Sequence, residues 1–163
     1  MATIRTATVD DLPAINEIYN AEVAASTASF DLQPMSCRRR RKWFYDHHHN
    51  HPVRVAELDG RVVGWADLHT CIDKEGSRHV AEVSVYVASD VRGRGVGKAL
   101  LGEVLSAARQ EGLHAIIAFI ADGNAASVRL HEGAGFRHVG VLKDIGHKFG
   151  RYVDVTVMQR ILD

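Results

Sequence analysis

Hydrophobic positions recur along the chain with two different periods, and together they predict alternating strands and helices. Residues 10–24 carry apolar side chains at the spacing of one helix face, and further helices are predicted at 37–50, 98–112 and 124–132. The β-rich runs between them predict strands at 2–8, 53–58, 61–70, 79–88, 115–121, 139–142 and 152–161. The order β-α-α-β-β-β-α-β-α-β-β indicates an α/β (α+β) fold with a mixed sheet rather than a doubly wound one.

Turn residues separate these elements. Asp59-Gly60 lies between two predicted strands and is a strong signal for a tight hairpin. Residues 24–36 and 73–78 are predicted loops, and a loop through residues 147–151 is expected to join the last two strands. In the strand at 79–88, alternation places four side chains on one face, namely Val80, Glu82, Ser84 and Tyr86.

Composition indicates one ordinary globular domain, residues 1–163. Hydrophobic residues make up 46% and charged residues 25%, as in typical soluble domains. The 20 basic and 20 acidic side chains cancel, which argues against a protein that coats nucleic acid or an anionic membrane. Cys37 and Cys71 are too few for a disulfide framework and are interpreted as buried or bystander thiols. No apolar run has membrane-spanning length and the start lacks a signal-peptide apolar region, so a cytoplasmic location is expected.

Two runs of charged or titratable residues invite a binding interpretation. His47 and His51 stand four residues apart on a predicted helix and could share a divalent ion, but no carboxylate or cysteine pattern completes a ligand set. Residues 38–42 form the run Arg-Arg-Arg-Arg-Lys, which could bind nucleic acid. Solvated helix surface is the favoured interpretation of both runs, so neither a metal nor a nucleic acid is predicted as a partner.

The most informative stretch is the glycine-rich turn Arg92-Gly-Arg-Gly-Val-Gly-Lys98. Its three glycines let the backbone approach a ligand closely, and the helix that follows presents N–H groups and a dipole that favour a phosphate. Arg92, Arg94 and Lys98 add positive charge for the same anion. The spacing fits neither a P-loop nor the dinucleotide-binding fingerprint. A flexible basic turn without a ligand is the alternative.

With its flanking elements, this turn resembles the acyl-CoA-binding turn of the GNAT acetyltransferase superfamily, whose pattern is R/Q-x-x-G-x-G/A. Arg92, Gly95 and Gly97 fill that pattern. Residues 124–136 are similar to the superfamily's second signature, an asparagine followed by a tyrosine position and then Gly-Phe. The two motifs occur in the correct order within a matching series of elements over residues 2–162. The resemblance implies a mostly antiparallel central sheet flanked by helices.

Other segments resemble one branch of the superfamily, the phosphinothricin/methionine sulfoximine N-acetyltransferases; they are residues 18–20, 27–30, 82–87, 127–131 and 147–154. This resemblance implies a cytoplasmic, homodimeric enzyme that uses acetyl-CoA to acetylate the α-amine of small amino acids or glutamate analogues by direct transfer. It also assigns cofactor contacts, which are Val85, Tyr86, Val87, Arg92, Gly93, Arg94, Gly95, Val96, Gly97, Lys98, Asn124 and Ser127.

Glu82 and His131 are the candidate catalytic residues. An amine is nucleophilic only when neutral, so a base must accept its proton. Glu82 lies among apolar strand residues, and the branch carries a glutamate at this position; a salt-bridged glutamate is the alternative. His131 stands where most of the superfamily has a tyrosine that protonates the departing thiolate. It could donate that proton, join the proton path from the amine, or only cap its helix.

The remaining expectations concern the cofactor arm and the acceptor substrate. Asn124 is expected to bond the cofactor arm or a strand backbone. Arg78, four residues before Glu82, is the cation best placed for a substrate carboxylate, with Lys74 a weaker candidate and Phe30 a wall of the pocket. Two other functions stay open: acetylation of a polypeptide N-terminus or another amine, and a non-catalytic acyl-CoA-binding sensor.

Overall fold

One sheet runs through the computed structural model of the protein, which describes residues 1–47 and 49–163. Its strands are β1 (Thr3–Thr6), β2 (Val53–Leu58), β3 (Arg61–Thr70), β4 (Val80–Val87), β5 (Ala115–Ala121), β6 (Arg137–Lys148) and β7 (Arg151–Ile161). The helices are α1 (Leu12–Ala25), α2 (Cys37–Tyr45), α3 (Val96–Gln110) and α4 (Ala125–Gly133). The predicted order of elements is confirmed.

The sheet is mixed and mostly antiparallel, as the resemblance implied. Its strand order is β1-β2-β3-β4-β5-β7-β6, and only the β4–β5 pair is parallel. That pair is short, because its pairing ends where Glu82 lies opposite Ile117. Both strands continue beyond this point without each other, so the sheet splits into a wedge between β4 and β5.

Helices cover both faces of the sheet and leave the wedge open. On one face, α3 buries an apolar stripe that includes Leu100, Leu101 and Val104. On the other face, Ile15 of α1 packs with Val55 and Trp65 of the sheet. Each helix presents apolar residues at helical spacing to the sheet, so burial of these stripes fixes the framework around the wedge.

Helix α2 is shorter than predicted and ends at Tyr45 rather than at residue 50. The His47 ring turns back, and its Nδ1 donates to the Trp43 carbonyl over 2.7 Å, which satisfies a terminal backbone acceptor. The expected solvated helix end is wrong, because the His47 side chain and His51 are both buried. His48 lies outside the described residues. Within 1–47 and 49–163, no group of three or more histidine, cysteine or acidic residues could hold a metal.

The basic run at residues 38–42 is also not uniformly solvated. Arg40 is only 1% exposed, and its guanidinium lies 4.5–5.3 Å from the ring centroids of Tyr19, Trp43 and Trp65. Its Nε donates to Asn16 Oδ1 over 3.1 Å. Burial lowers the pKa of Arg40, although the nearby Tyr19 and Asp67 favour its charge. Arg40 is therefore a packing residue between α2 and the sheet.

The last hairpin differs from the prediction in length. Strand β6 spans Arg137–Lys148 rather than residues 139–142, and the turn to β7 is only Phe149-Gly150, with φ of 52° and 72°. Two irregularities in the β6–β7 register and a mostly exposed strand erase the alternating pattern that would have revealed it. The predicted Asp59-Gly60 hairpin turn is confirmed by φ values of 53° and 75°.

The helices and the two cysteines bear on the membrane and disulfide predictions. None of the helices in the described part of the chain is long and apolar enough to cross a membrane. Cys37 is exposed and Cys71 is half-buried, and both thiols are free. The cytoplasmic location stays a prediction.

Candidate active site

A cleft occupies the wedge between β4 and β5. Its inner part is a cavity of about 250 Å³ that contains Glu82 and His131. Its outer part is a groove of about 530 Å³ along the glycine-rich turn. The two parts share lining residues, namely Ala28, Val85, Tyr86, Asn124 and Ser127. A ligand in the groove can therefore extend to the two candidate catalytic side chains.

Backbone geometry shapes the groove at the glycine-rich turn. Gly93 and Gly95 have φ of 75° and 82°, in the left-handed region that favours glycine. Helix α3 begins directly afterwards, and its first helical hydrogen bond runs from Ala99 N to the Gly95 carbonyl. The N–H groups of residues 96–98 precede that bond and are the usual orphan donors of a helix start. This end of the cleft therefore offers backbone donors to an anion.

Most of the predicted cofactor contacts line this groove; they are Val85, Tyr86, Val87, Arg92, Gly93, Gly95, Val96, Gly97, Lys98, Asn124 and Ser127. Arg94 is exposed and is not one of the residues that line it. Arg92 is already bound within the protein, because it pairs with Glu22 of α1 and its Nε donates to the Val87 carbonyl over 3.1 Å. Lys98 is the other cation that lines the groove, and it is exposed.

Glu82 lies at the apex of the wedge, at the last position where β4 and β5 pair. Its side chain is 27% exposed and lines the inner cavity. Residue 69 of β3 is its direct cross-strand partner, and His69 Nε2 lies 3.3 Å from Glu82 Oε2. The carboxylate is thus both accessible from the cavity and held by a histidine.

His69 belongs to a chain of ionisable groups behind Glu82. Its Nδ1 lies 3.2 Å from Asp67 Oδ2, and the same oxygen accepts from His47 Nε2 over 2.8 Å. Burial by itself favours neutral His69, but hydrogen bonds to Asp67 and Glu82 outweigh it and raise its pKa to about 10. Burial likewise opposes the charge of Asp67, yet the two histidines lower its pKa. At neutral pH His69 and Asp67 therefore form an ion pair.

His131 lies on α4 and is 4% exposed at the inner cavity. Its Nδ1 donates to the Ser127 carbonyl over 2.8 Å, since a carbonyl oxygen can only accept. Burial lowers the pKa of His131, although the Ser127 bond favours the charged form. The ring is therefore neutral near pH 7, with its proton on Nδ1 and a lone pair on Nε2.

Asn124 and Ser127 join the two parts of the cleft at the start of α4. Asn124 is the N-cap of this helix, and its Oδ1 accepts from Ser127 N over 3.2 Å. Its oxygen is thus bound to helix backbone rather than to a strand. Both residues line the cavity and the groove.

The predicted substrate residues are divided between two cavities. Phe30 is 39% exposed and lines the cavity of Glu82. Its ring lies against Gly146 of β6, where a Cβ atom would meet it at 2.5 Å. Lys74 and Arg78 instead line a separate cavity of about 400 Å³. The structure therefore does not bring these two cations into the cavity of Glu82.

Sequence reasoning missed Asp67 and His69, and it considered His47 only as a possible metal ligand. The signal of Asp67 and His69 is weak, because single polar residues in an apolar strand do not reveal their partners. Asp67 and His69 are two apart in β3, so they share a face, but only the β3–β4 register places residue 69 opposite Glu82. Knowledge of that register would have predicted the contact between His69 and Glu82.

The chain is similar to known proteins over nearly its whole length. The sequence profile of the acetyltransferase (GNAT) family matches residues 15–136. The L-methionine sulfoximine/L-methionine sulfone acetyltransferase of Pseudomonas aeruginosa is 42% identical, over 99% of this chain and 95% of that protein.

Two solved structures are also similar throughout. A ribosomal-protein-alanine N-acetyltransferase from Brucella melitensis is 44% identical, with a TM-score of 0.95 over 98% of this chain and 99% of that one. A phosphinothricin acetyltransferase from Sinorhizobium meliloti, solved with acetyl-CoA, is 34% identical, with a TM-score of 0.95 over 99% and 88% of the two chains. An enzyme is therefore favoured over a non-catalytic sensor, and the chain belongs to the GNAT family of N-acetyltransferases.

Proposed function

We propose that the protein transfers an acetyl group from acetyl-CoA directly to the α-amine of a small amino acid or of a glutamate analogue such as methionine sulfoximine or phosphinothricin. The observation that carries this proposal is the position of Glu82. A carboxylate stands at the apex of the wedge, in a cavity continuous with an anion-favouring groove. A base beside a bound acyl donor is what amine acetylation requires.

The groove residues fit acetyl-CoA. Residues 96–98 present backbone N–H groups at the start of α3, and Lys98 adds a positive charge, so the turn suits a pyrophosphate. Beyond Glu82, β5 no longer pairs with β4, so backbone groups at Val85 to Val87 can bond the pantetheine arm. Acetyl-CoA supplies an activated acyl group as a thioester, and the chain's residues hold it and manage the protons.

Glu82 is proposed as the general base. Its carboxylate is partly open to the cavity, where the ammonium group of a substrate can lose a proton to it directly or through one water. His131 is proposed to complete the proton path. A neutral ring whose Nδ1 is already bonded presents Nε2 as an acceptor, so it must take up a proton before it can protonate the departing thiolate.

Direct transfer is proposed because neither cysteine suits an acyl-enzyme. Cys71 does not line the cavity of Glu82, and burial, with the charge of Glu82, raises the pKa of its thiol. Cys37 begins α2 and is exposed. A thiol nucleophile acts as a thiolate, and the Cys71 environment disfavours that form.

The acceptor specificity is proposed to involve Phe30, Arg78 and Lys74. Phe30 walls the cavity, while Arg78 lines the neighbouring cavity together with Val80, which lies on the Glu82 face of β4. No lysine or arginine is among the described residues that line the Glu82 cavity, so a substrate carboxylate must reach out to a cation such as Arg78. Arg78→Ala is expected to raise the KM for an amino acid about tenfold or more. An unchanged KM would exclude this contact.

A homodimer is proposed through the open edge of the sheet. Strand β6 is the edge strand of the sheet, next to β7. Large apolar side chains are exposed on it and beside it, namely Val139, Val141, Leu142, Ile145, Phe149 and Tyr152. An exposed apolar edge favours association with a second copy. Light scattering is expected to give twice the chain mass, and Val141→Asp to give a monomer. A monomeric wild type would refute the homodimer.

A polypeptide N-terminus is the second candidate acceptor, favoured by the similarity to the Brucella melitensis enzyme. A thiol-release assay decides between the two. It compares free amino acids, methionine sulfoximine and phosphinothricin with peptides that begin with alanine. Turnover of free amino acids or their analogues supports the proposal, whereas turnover of peptides alone would replace it with the second function.

A further inference from the structure

We propose that His69 is a positioning residue for the general base: an imidazolium, anchored by Asp67, that holds the Glu82 carboxylate ionised and directed into the cavity. This inference rests on the proposed role of Glu82. Nothing in the chemistry of acetyl transfer by itself requires a histidine at this position, and the proposed role follows from the contacts of His69.

Both ring nitrogens of His69 face carboxylate oxygens. Nε2 lies 3.3 Å from Glu82 Oε2, and Nδ1 lies 3.2 Å from Asp67 Oδ2. Each carboxylate can only accept, so a ring that satisfies both must carry two N–H groups, which is the imidazolium form. The β3–β4 register fixes this arrangement, because His69 is directly opposite Glu82.

The anchor of His69 is itself fixed on two sides. Asp67 is 1% exposed, and its Oδ2 accepts from His47 as well as from His69. His47 in turn donates to the Trp43 carbonyl at the end of α2. The chain of contacts therefore runs from helix backbone to the base, and a side chain held at both ends loses little further freedom during catalysis.

The charges around His69 favour its protonated state. Asp67 and Glu82 raise its pKa to about 10 against the opposing effect of burial. The other ionisable groups near it come from α2 and the segment after it; they are Arg39, Arg40, Lys42, Asp46, His47 and His51. Arg40 interacts electrostatically with Asp67. The other groups line a cavity of about 440 Å³ that His69 also lines.

His69 acts through Glu82 rather than on the substrate. It lines the cavity of about 440 Å³ and is not among the residues that line the cavity of Glu82 and His131. A cation beside a carboxylate favours the ionised form of that carboxylate. Loss of the imidazolium should therefore impair the base most at low pH, where the carboxylate has the most competition from protons.

The test compares His69→Gln with the wild type in thiol release, using an amine that the wild type acetylates. We expect kcat to fall more on the acid side of the pH profile than near pH 9, by up to about tenfold, because loss of the neighbouring cation disfavours the ionised carboxylate. The KM for acetyl-CoA should stay unchanged. Asp67→Asn should move the same limb in the same direction, because it weakens the anchor.

His138→Gln is the matched control. His138 also pairs with a glutamate, Glu132, at 2.9 Å, but both are exposed and outside the cleft. Its pH profile should match the wild type. An equal loss of kcat for His69→Gln at every pH would mean a merely structural role, and no loss would mean no role; either result overturns the inference.

Nuclear magnetic resonance of the histidine rings supplies a readout that needs neither turnover nor a folded His69 variant. His69 should titrate near pH 10 in the wild type and lower in Glu82→Gln, because one of its two carboxylates is gone. Titration near its ordinary value of about 6.5 would overturn the inference. Absence of turnover with every amine would refute the proposed function, and this titration would then decide the His69–Glu82 pairing alone.

Discussion

The two ends of the cleft depend on different parts of the chain, one on backbone and the other on side chains. The outer groove depends on backbone, with left-handed Gly93 and Gly95 leading into the start of α3. The inner cavity depends on side chains, and Glu82 there is held through His69 by residues from β3 and the end of α2. The difference teaches that acetyl-CoA binding and proton removal can be damaged separately, by backbone strain at one end and by lost charge at the other.

Glu82→Gln should have the largest effect, and only at the inner end. Glutamine keeps the size of the side chain but cannot accept a proton, so kcat should fall by about 10²-fold or more. Calorimetry should find acetyl-CoA bound as tightly as by the wild type. Glu111→Gln, an exposed glutamate just after α3, is the control and should change neither quantity. A parallel loss of acetyl-CoA affinity would contradict the separation of the two ends.

Gly95→Ala should have the opposite signature. A Cβ atom has open space at this position, so the substitution acts only through the φ of 82°, which costs a non-glycine residue about 1–2 kcal/mol. The KM for acetyl-CoA should rise up to about tenfold while the KM for the amine is preserved. Gly102→Ala, with equal space but inside α3, should bind acetyl-CoA normally and be slightly more stable. Equal effects of both alanines would exclude strain as the cause.

The charge of His69 should affect the free energy of unfolding as well as the rate of acetyl transfer. The pKa of His69 is raised to about 10 by folding, so its contribution is fully present below about pH 6.5 and is lost as the pH rises through 10. Urea unfolding of the wild type and His69→Gln should give a difference in free energy that shrinks over this range. A difference that stays constant with pH would contradict the imidazolium.

Gly146→Ala should have the smallest effect, and it tests the position of Phe30 in the inner cavity. Its Cβ would collide with the Phe30 ring, which is the end of a movable side chain and can shift cheaply. The KM for the amine should change by about two- to fivefold, and the KM for acetyl-CoA should stay the same. Gly140→Ala lies on the same strand with open space around it and should change neither value. An altered KM for acetyl-CoA in Gly146→Ala would contradict the placement of Phe30.

The same contrast explains what the sequence could predict. The glycine-rich turn, its helix and the Asp59-Gly60 hairpin are local, so adjacent residues carry their whole signal. The His69–Glu82 pair depends on strand register, and the burial of Arg40 depends on aromatic rings from α1, α2 and β3. The full length of strand β6 was not predicted, because its exposed, irregularly paired residues lack a period of two.

The central claim is that Glu82 accepts the proton of the amine at the apex of the wedge. Its most direct test is the pH dependence of kcat/KM for the amine, measured side by side in the wild type and Glu82→Gln. The wild type is expected to show an acid limb from the carboxylate. Glu82→Gln is expected to lose this limb, so that its kcat/KM rises only as the free amine itself deprotonates. Identical acid limbs in the two proteins would contradict the claim.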